Sequence, residues 1–300
     1  MNKEFVIVVD SCADLSTELR KEHGIEYVKM GLVKKLKEGD VEIPASLDWD
    51  LYSHKELNDW LRSGMIIKTT QVSHAEYQNM FTKIIEQGKD VLYIACSSAL
   101  SGSYNYSLIV KNELLEKYPN ANIICIDSLC SSFGQGLMAL DAAKMKQEGK
   151  TLEEVSEYIE ENKLCYSQFA TVETLDYLKN AGRVKASSAF FGNIFGVKPM
   201  IISDAQGNNY AIKKVKGRKN SINEIVNMLK ADVVDAENQT IYVVHADALA
   251  DAEYLKELIE REVAPKEVKI ECLGPIIGVS TGPGTLGAYA KGKKVTVVGQ

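Results

Sequence analysis

The sequence predicts an α/β protein with two domains, and three observations lead to this prediction. The chain has 300 residues, a length that is typical of two domains, with one long domain as the alternative. In its first half, continuous apolar runs alternate with helical stretches, which is typical of a parallel sheet with helices on both faces. In its second half, strands follow one another with helices on one side, which favours a two-layer α+β domain with a mixed sheet. We place the boundary near residue 165, giving an N-terminal α/β/α domain over 1–165 and a C-terminal domain over 166–300.

The N-terminal domain begins with a strand over Phe5–Asp10, an apolar run ending in an acid that is typical of a strand buried on both faces. Ser11, Asp14 and Ser16 follow it and offer side chains that can cap a helix over 15–22. The remaining predicted elements are strands over 91–96 and 123–127 and helices over 74–87, 105–117, 135–148 and 152–162. Their order predicts a Rossmann-like, mainly parallel sheet, in which ligands bind at the carboxyl ends of the strands.

The C-terminal domain is predicted from a change of pattern after residue 165. Its elements are strands over 168–172, 240–245, 267–273 and 294–298, helices over 173–181, 221–231 and 250–262, and a hairpin of strands over 197–204 and 210–215. Turn-forming residues 206–208 join the hairpin, and Gly182 ends the first helix. Because no Pro- or Gly-rich linker marks the boundary, we expect a close interface between the domains.

Composition and charge argue against several functional classes. The 35 basic and 41 acidic residues give a net charge of −6, which argues against nucleic acid or an anionic membrane surface as the partner. The apolar run over 5–9 is too short for a signal peptide, and no uncharged stretch is a credible membrane span. Most of the six cysteines lie in apolar or strand-like runs, so we expect reduced thiols and a cytoplasmic protein.

Several segments match the residue patterns of known catalytic motifs but lack the further residues that those motifs require. Gly282–Gly287 matches a dinucleotide fingerprint. That motif requires an acidic residue further along the chain, and none follows Gly287 in this sequence. Gly278–Gly282 matches a nucleophile elbow, but neither an acid nor a histidine follows it. The histidines and cysteines lack metal-ligand spacing, so we expect no metal site and histidines at the surface. Asp10 and Asp14 could hold a metal or accept a phosphoryl group, although helix capping and hydrogen bonds at the end of the sheet are the more frequent uses of such residues.

Three clusters of hydroxyl residues favour an anion site. They lie over 69–71, 97–104 and 280–284, at predicted strand ends or loops. The second cluster follows a buried strand at the start of a helix, where backbone N–H groups and the helix dipole favour a carboxylate or a phosphate. Arg183, directly after Gly182, has a guanidinium that can pair with such an acid. An ordinary capped loop and a solvated arginine are the alternative interpretations.

Two further stretches each allow two interpretations. The aromatic stretch over 186–197 is typical either of an apolar tunnel or of a domain core. Its large apolar residues are Phe190, Phe191, Ile194 and Phe195. The basic run over 213–219 suits an acidic partner or a solvated strand and turn. The residues that we expect to dock a partner are Lys214, Lys216 and Arg218.

Eight short motifs occur in a characteristic order along the chain. They are Asp10-Ser11-Cys12-Ala13-Asp14, Thr69-Thr70-Gln71-Val72-Ser73, 97–104, Asp127-Ser128, 175–183, Lys198-Pro199, 215–219 and Gly282-Pro283-Gly284. This ordered set resembles the DegV family over essentially the whole chain. The resemblance implies a two-domain α/β protein without a cofactor that binds one long-chain fatty acid between its domains, with the acyl chain in an apolar tunnel of the C-terminal domain. It also implies that the protein presents the carboxylate to a separate fatty-acid kinase, of the dihydroxyacetone-kinase-like type, which forms acyl phosphate for phospholipid synthesis.

The resemblance also implies which residues bind the ligand. Those that match the family's carboxylate site are Thr69, Ser97, Ser98 and Arg183. We also expect Ser280 and Thr281, from the third hydroxyl cluster, at the carboxylate. Ser280 stands where the family usually has a histidine, so a hydroxyl replaces a group that can carry charge. A paralogue that carries another amphiphilic anion is therefore an alternative. A stand-alone phosphoryl- or acyl-transfer enzyme that uses Asp10 and Asp14 is the alternative from a different functional class.

Overall fold

The computed structural model of the chain describes residues 3–186 and 196–299, whose strands form three sheets. The strands are β1 (Phe5–Asp10), β2 (Ile25–Val28), β3 (Met30–Leu36), β4 (Gly39–Ala45), β5 (Ile67–Thr70), β6 (Asp90–Ala95), β7 (Ile123–Asp127), β8 (Tyr166–Thr171), β9 (Val197–Ser203), β10 (Asn209–Lys216), β11 (Thr240–His245), β12 (Glu267–Cys272) and β13 (Leu286–Lys291). The α-helices are α1 (Thr17–His23), α2 (His54–Arg62), α3 (His74–Glu86), α4 (Ser103–Lys117), α5 (Phe133–Gln147), α6 (Leu152–Asn162), α7 (Asp176–Ala181), α8 (Arg218–Asp232), α9 (Leu249–Glu262) and α10 (Pro275–Thr281).

The first sheet is parallel, in the order β2-β1-β6-β7, and it confirms the sheet predicted for the first half of the chain. Ile7 and Val9 of β1 share a core with α5 and α6, whereas Val8 shares a core with α3 and α4. Successive side chains of a strand point to opposite faces of the sheet. Both faces of β1 are therefore covered by helices, which explains the unbroken apolar run over 5–9.

The second sheet is mixed, in the order β10-β9-β8-β13-β11-β12, and all its strands come from residues after 165. The hairpin of β9 and β10 forms as predicted. Helices α8 and α9 pack against this sheet, and their buried residues form one core with Phe169, Val243 and Ala288. Helix α5 also contacts β8 and β13, so it lies between the first and the second sheet. The α/β fold class and the mixed second sheet are confirmed.

The third sheet is small and antiparallel, in the order β4-β3-β5, and it was not predicted from the sequence. Helix α10, which lies more than 200 residues further along the chain than β5, packs against β3, β5 and α2. Ile276 and Val279 of this helix share a core with Leu32 and Leu57. The last third of the chain therefore completes the core of the first third.

The prediction of a strand over 294–298 is wrong. These residues have no regular secondary structure, and Val297 and Val298 are 46% and 49% exposed. The strand in this region is β13, which pairs with β8 on one side and β11 on the other. Its small residues have weak intrinsic preference for strands, and burial between two neighbours decides its conformation.

The core is continuous across residue 165. One cluster of buried residues joins Ile7 and Phe133 from the first half of the chain to Tyr242 and Tyr289 from the second half. The rings of Phe133 and Tyr242 are stacked, with centroids 4.6 Å apart. The interface between the two halves is therefore close, as the absence of a linker sequence predicts. Within the described residues, every helix is too short or too polar to cross a membrane.

Candidate functional site

A cavity of about 160 Å³ lies between the mixed sheet and the loops of the first half of the chain. Gln168, Ala170 and Val172 line it from β8 and its end, at alternate positions that share one face of the sheet. Ala170 pairs with Gly287 of β13, and these two small residues leave room above the sheet. Leu178 of α7 and Ile201 of β9 extend the apolar part of this wall.

The opposite wall is built at the carboxyl ends of β1 and β6, where ligands are expected to bind in a parallel sheet. Cys12 and Cys96 line the cavity there, and both of their backbone N–H groups donate to the carboxylate of Asp10, at 2.9 and 2.8 Å. Tyr93 also donates to this carboxylate, at 2.9 Å. Burial raises the pKa of Asp10. Asp10 therefore holds the two loops together from below the cavity.

Asp14 has a similar connecting role. Its Oδ1 accepts a hydrogen bond from the backbone N–H of Gly274 at 2.9 Å, and its Oδ2 accepts one from Ser132 Oγ at 2.6 Å. A Cβ at position 274 would lie 2.4 Å from Asp14 Oδ1, so only glycine allows this approach. Asp14 is 2% exposed, and burial raises its pKa well above the usual range. The carboxylate joins the loop after β1 to the starts of α5 and α10.

Four residues predicted to bind a carboxylate line this cavity: Thr69, Arg183, Ser280 and Thr281. The hydroxyl of Thr69 makes no hydrogen bond to the part of the chain that the structure describes. Arg183 donates from Nε to the Leu100 carbonyl at 2.9 Å and from Nη1 to the Ala181 carbonyl at 2.6 Å. These bonds hold the exposed guanidinium at the rim of the cavity.

Ser280 and Thr281 lie in the last turn of α10, and not in a loop or at a strand end as predicted from the sequence. Their hydroxyls donate to the carbonyls of Ile276 and Ile277, both at 2.8 Å. Such bonds to the carbonyl four residues earlier are common for Ser and Thr in helices. In this arrangement both hydroxyls offer lone pairs to the cavity, because each proton is already donated.

Ser97 and Ser98 are not among the residues that line the cavity. Ser97 is fully buried, and its Oγ donates to the carbonyl of Gly207 at 2.8 Å. The backbone N–H of Ser98 donates to Asp127 at 3.0 Å. Ser101, from the same hydroxyl cluster, lines the cavity instead.

Polar residues of the mixed sheet and of the start of α5 also line the cavity, although the sequence did not predict them as site residues. These residues are Gln168, Asn209, Ser131, Ser132 and Tyr289. Because Gln168, Ala170 and Val172 alternate along β8, the sequence indicates that they share one face of the strand. It does not indicate which face of the strand contacts a ligand.

The remaining predicted residues are those of the tunnel and those of the basic run. The tunnel residues Phe190, Phe191, Ile194 and Phe195 fall outside the described residues. Arg218 donates from Nε to Asp251 and from Nη2 to the Gly284 carbonyl, both at 2.8 Å. Only 19% of its side chain is exposed, so it holds the loop after α10 in place. Lys216 is exposed on β10.

The expectation of surface histidines is wrong for His245, which is 5% exposed at the end of β11. Its ring faces that of His54 on α2, with centroids 6.0 Å apart. Burial lowers the pKa of His245 to about 4 and also lowers the pKa of His54. Within residues 3–186 and 196–299, no group of three or more His, Cys, Asp or Glu residues is arranged to hold a metal ion.

Comparison with known proteins covers nearly the whole chain. The sequence model of the DegV family, described as uncharacterised proteins, matches residues 4–292. A DegV domain-containing protein of Clostridium perfringens is 38% identical over 290 residues, which cover 97% of this chain and 98% of that protein. A solved fatty-acid-binding DegV family protein of Thermus thermophilus has a TM-score of 0.85 at 25% identity, covering 98% of this chain and 100% of the other. A DegV lipid-binding protein of Thermotoga maritima has a TM-score of 0.84 at 25% identity, with the same coverage.

Proposed function

The chain belongs to the DegV family, and from that premise we propose that it binds one long-chain fatty acid in the cavity between its two larger sheets. One observation carries the proposal: a single cavity combines an apolar floor with a threonine hydroxyl and an arginine at its rim. Ala170, Val172 and Ile201 belong to the floor, and Thr69 and Arg183 to the rim. The structural relatives from Thermus thermophilus and Thermotoga maritima, described as fatty-acid-binding and lipid-binding, support this ligand class.

The energetics favour an acyl ligand without a strong salt bridge. Burying a sixteen-carbon chain contributes on the order of 12 kcal/mol at about 0.8 kcal/mol per methylene. Immobilising the chain and the ligand costs several kcal/mol. The carboxylate needs hydrogen-bond donors where it is buried. We propose that Thr69 and Arg183 supply them, while Ser280 stands beside the head group where a histidine is usual in the family.

We further propose that the chain is a carrier and that catalysis resides in a partner kinase, which converts the presented carboxylate to an acyl phosphate. Asp10 and Asp14 are engaged by backbone N–H groups and by hydroxyls, which supports a structural role for these acids. We also propose that the two domains meet at residue 165, since the mixed sheet contains only strands that follow this residue.

The ligand proposal is tested by extracting the purified protein with organic solvent and identifying the lipid by mass spectrometry, with native mass spectrometry for stoichiometry. We expect one fatty acid per chain. A protein that is empty and also fails to take up added palmitate or oleate contradicts the proposal, and other amphiphilic anions then become the ligands to test.

The carrier proposal is tested by incubating the loaded protein with Mg-ATP, with and without a fatty-acid kinase, and measuring acyl phosphate. We expect product only when the kinase is present. Lys216→Glu is expected to lower the rate without changing lipid affinity, since Lys216 is exposed in the basic run. Lys213→Glu is the control, because Lys213 is engaged by Glu224 at 2.7 Å. Product formation by the protein alone contradicts the carrier role.

A further inference from the structure

A row of polar side chains crosses the mixed sheet beside the cavity. Asn209 of β10 pairs with Ser203 of β9, and Gln168 of β8 pairs with Tyr289 of β13. The register of β8 and β9, in which Ala170 pairs with Ile201, places Gln168 across from Ser203. Paired residues of adjacent strands point to the same face of a sheet. The polar side chains therefore lie side by side at one level of the sheet.

The next row of the same face is apolar. It contains Gly287, Ala170 and Ile201, each two residues away from the polar residue of the same strand. Two residues of a strand span roughly 6.6 Å. A ligand that lies against the small residues Gly287 and Ala170 is therefore only about this distance from the polar row.

Gln168 carries an unused hydrogen-bond acceptor in this row. Its Nε2 donates to Asn209 Oδ1 at 3.4 Å, and Asn209 in turn donates to the Arg183 carbonyl at 3.1 Å. Gln168 Oε1 is buried and has no hydrogen-bond partner among residues 3–186 and 196–299. The residue is only 6% exposed and lines the cavity. A buried acceptor without a partner is unfavourable, and an unsubstituted acyl chain has no donor to offer it.

We propose that the cavity recognises an acyl chain that carries a hydroxyl group, and that this hydroxyl donates to Gln168 Oε1. The inference rests on the proposed fatty-acid function and narrows its ligand class to hydroxylated long-chain acids. The carboxylate remains with Thr69 and Arg183, while the chain hydroxyl meets the polar row of the sheet. Gln168 thereby acts as a residue that determines specificity.

The test compares the dissociation constants of stearic acid and of its positional hydroxy isomers for the wild-type protein. We expect one isomer to bind roughly fivefold more tightly than stearic acid, the factor that one net hydrogen bond supplies. Gln168→Leu keeps a buried side chain of similar size and is expected to abolish or reverse this preference. Ile201→Val, in the apolar row, is the control and is expected to change both affinities alike.

Two results overturn the inference. Either every hydroxy isomer binds no better than stearic acid to the wild-type protein, or the preference persists in Gln168→Leu. The first result depends on no variant, so a poorly folded Gln168→Leu protein leaves the test decisive. Tight binding of stearic acid with no hydroxyl preference overturns only this inference, whereas failure of all the acids to bind overturns the proposed function as well.

Discussion

Thr69→Val is expected to weaken fatty-acid binding far more than Ser280→Ala. The Thr69 hydroxyl has no partner among the described residues, so it can donate to a carboxylate without giving up a bond. A hydrogen bond to a charged acceptor is worth about 1.5–3 kcal/mol, and each 1.4 kcal/mol changes a dissociation constant tenfold. Because valine keeps the shape of threonine, we expect the dissociation constant to rise by about 10- to 100-fold.

Ser280 is expected to contribute little to carboxylate affinity, although it lines the cavity. Its hydroxyl donates to the Ile276 carbonyl at 2.8 Å, and a carboxylate offers no proton in return. Rotating the hydroxyl towards the ligand exchanges one hydrogen bond for another. Ser280→Ala should therefore change the dissociation constant by less than about twofold.

Displacement of a fluorescent fatty acid at neutral pH measures both variants, and circular dichroism verifies their folding. Thr70→Val is the matched control, because Thr70 also lines the cavity but its hydroxyl is within 3.4 Å of Glu42 Oε1. We expect Thr70→Val to bind like the wild-type protein. If Ser280→Ala lost tenfold in affinity while Thr69→Val lost none, the assignment of the two hydroxyls would be refuted.

Three further predictions concern stability. Burial lowers the pKa of His245 to about 4, so between about pH 4 and pH 6.5 the unfolded chain binds more protons than the folded protein. Acidification from pH 7 to pH 5 should therefore lower the free energy of unfolding, measured with urea, by up to about 2 kcal/mol. His245→Gln should lose this pH dependence, and an unchanged slope would contradict the cause. Burial opposes ionisation of Asp48, but hydrogen bonds outweigh it and lower its pKa to about 2, so its stabilising contribution should be present above about pH 4 and disappear towards pH 2. Asp48→Asn should remove that acid-sensitive component, and acid unfolding identical to wild type would argue against it. Gly282 has a φ of +83°, and Gly282→Ala places a Cβ 2.3 Å from the Tyr177 ring. The substitution should lower the free energy of unfolding by about 1–3 kcal/mol, and an unchanged melting temperature would count against this packing argument.

The fold was predictable where a single strand or helix carries its own pattern. The run over Phe5–Asp10 is apolar because helices cover both faces of β1, so the burial of this strand can be predicted from its own residues. β13 escaped prediction because Gly287, Ala288 and Ala290 suit many conformations, and only the neighbouring strands β8 and β11 determine theirs. α10 escaped prediction because its seven residues include Gly278 and β-branched residues, which are weak helix formers.

The site was predictable only in part, for a similar reason. Thr69 and Arg183 belong to recognisable motifs, and both line the cavity. Gln168 lines the cavity because of the register of the mixed sheet, and this register cannot be predicted from the sequence of β8 alone. Ser97 belongs to a motif too, but its hydroxyl is engaged by Gly207, 110 residues away along the chain. A hydroxyl cluster in a sequence indicates available donors and does not indicate which of them are already used.

The position of α10 has a consequence for synthesis on the ribosome. Its Ile276 and Val279 belong to a core whose other fully buried residues all come from the first 123 positions, such as Leu32 and Leu57. At roughly 5–20 residues per second, this helix emerges about 5 to 20 seconds after residue 165. During that interval the nascent chain exposes an apolar surface that its own later residues will cover. Chaperone binding to the growing chain should therefore persist until α10 has left the ribosome.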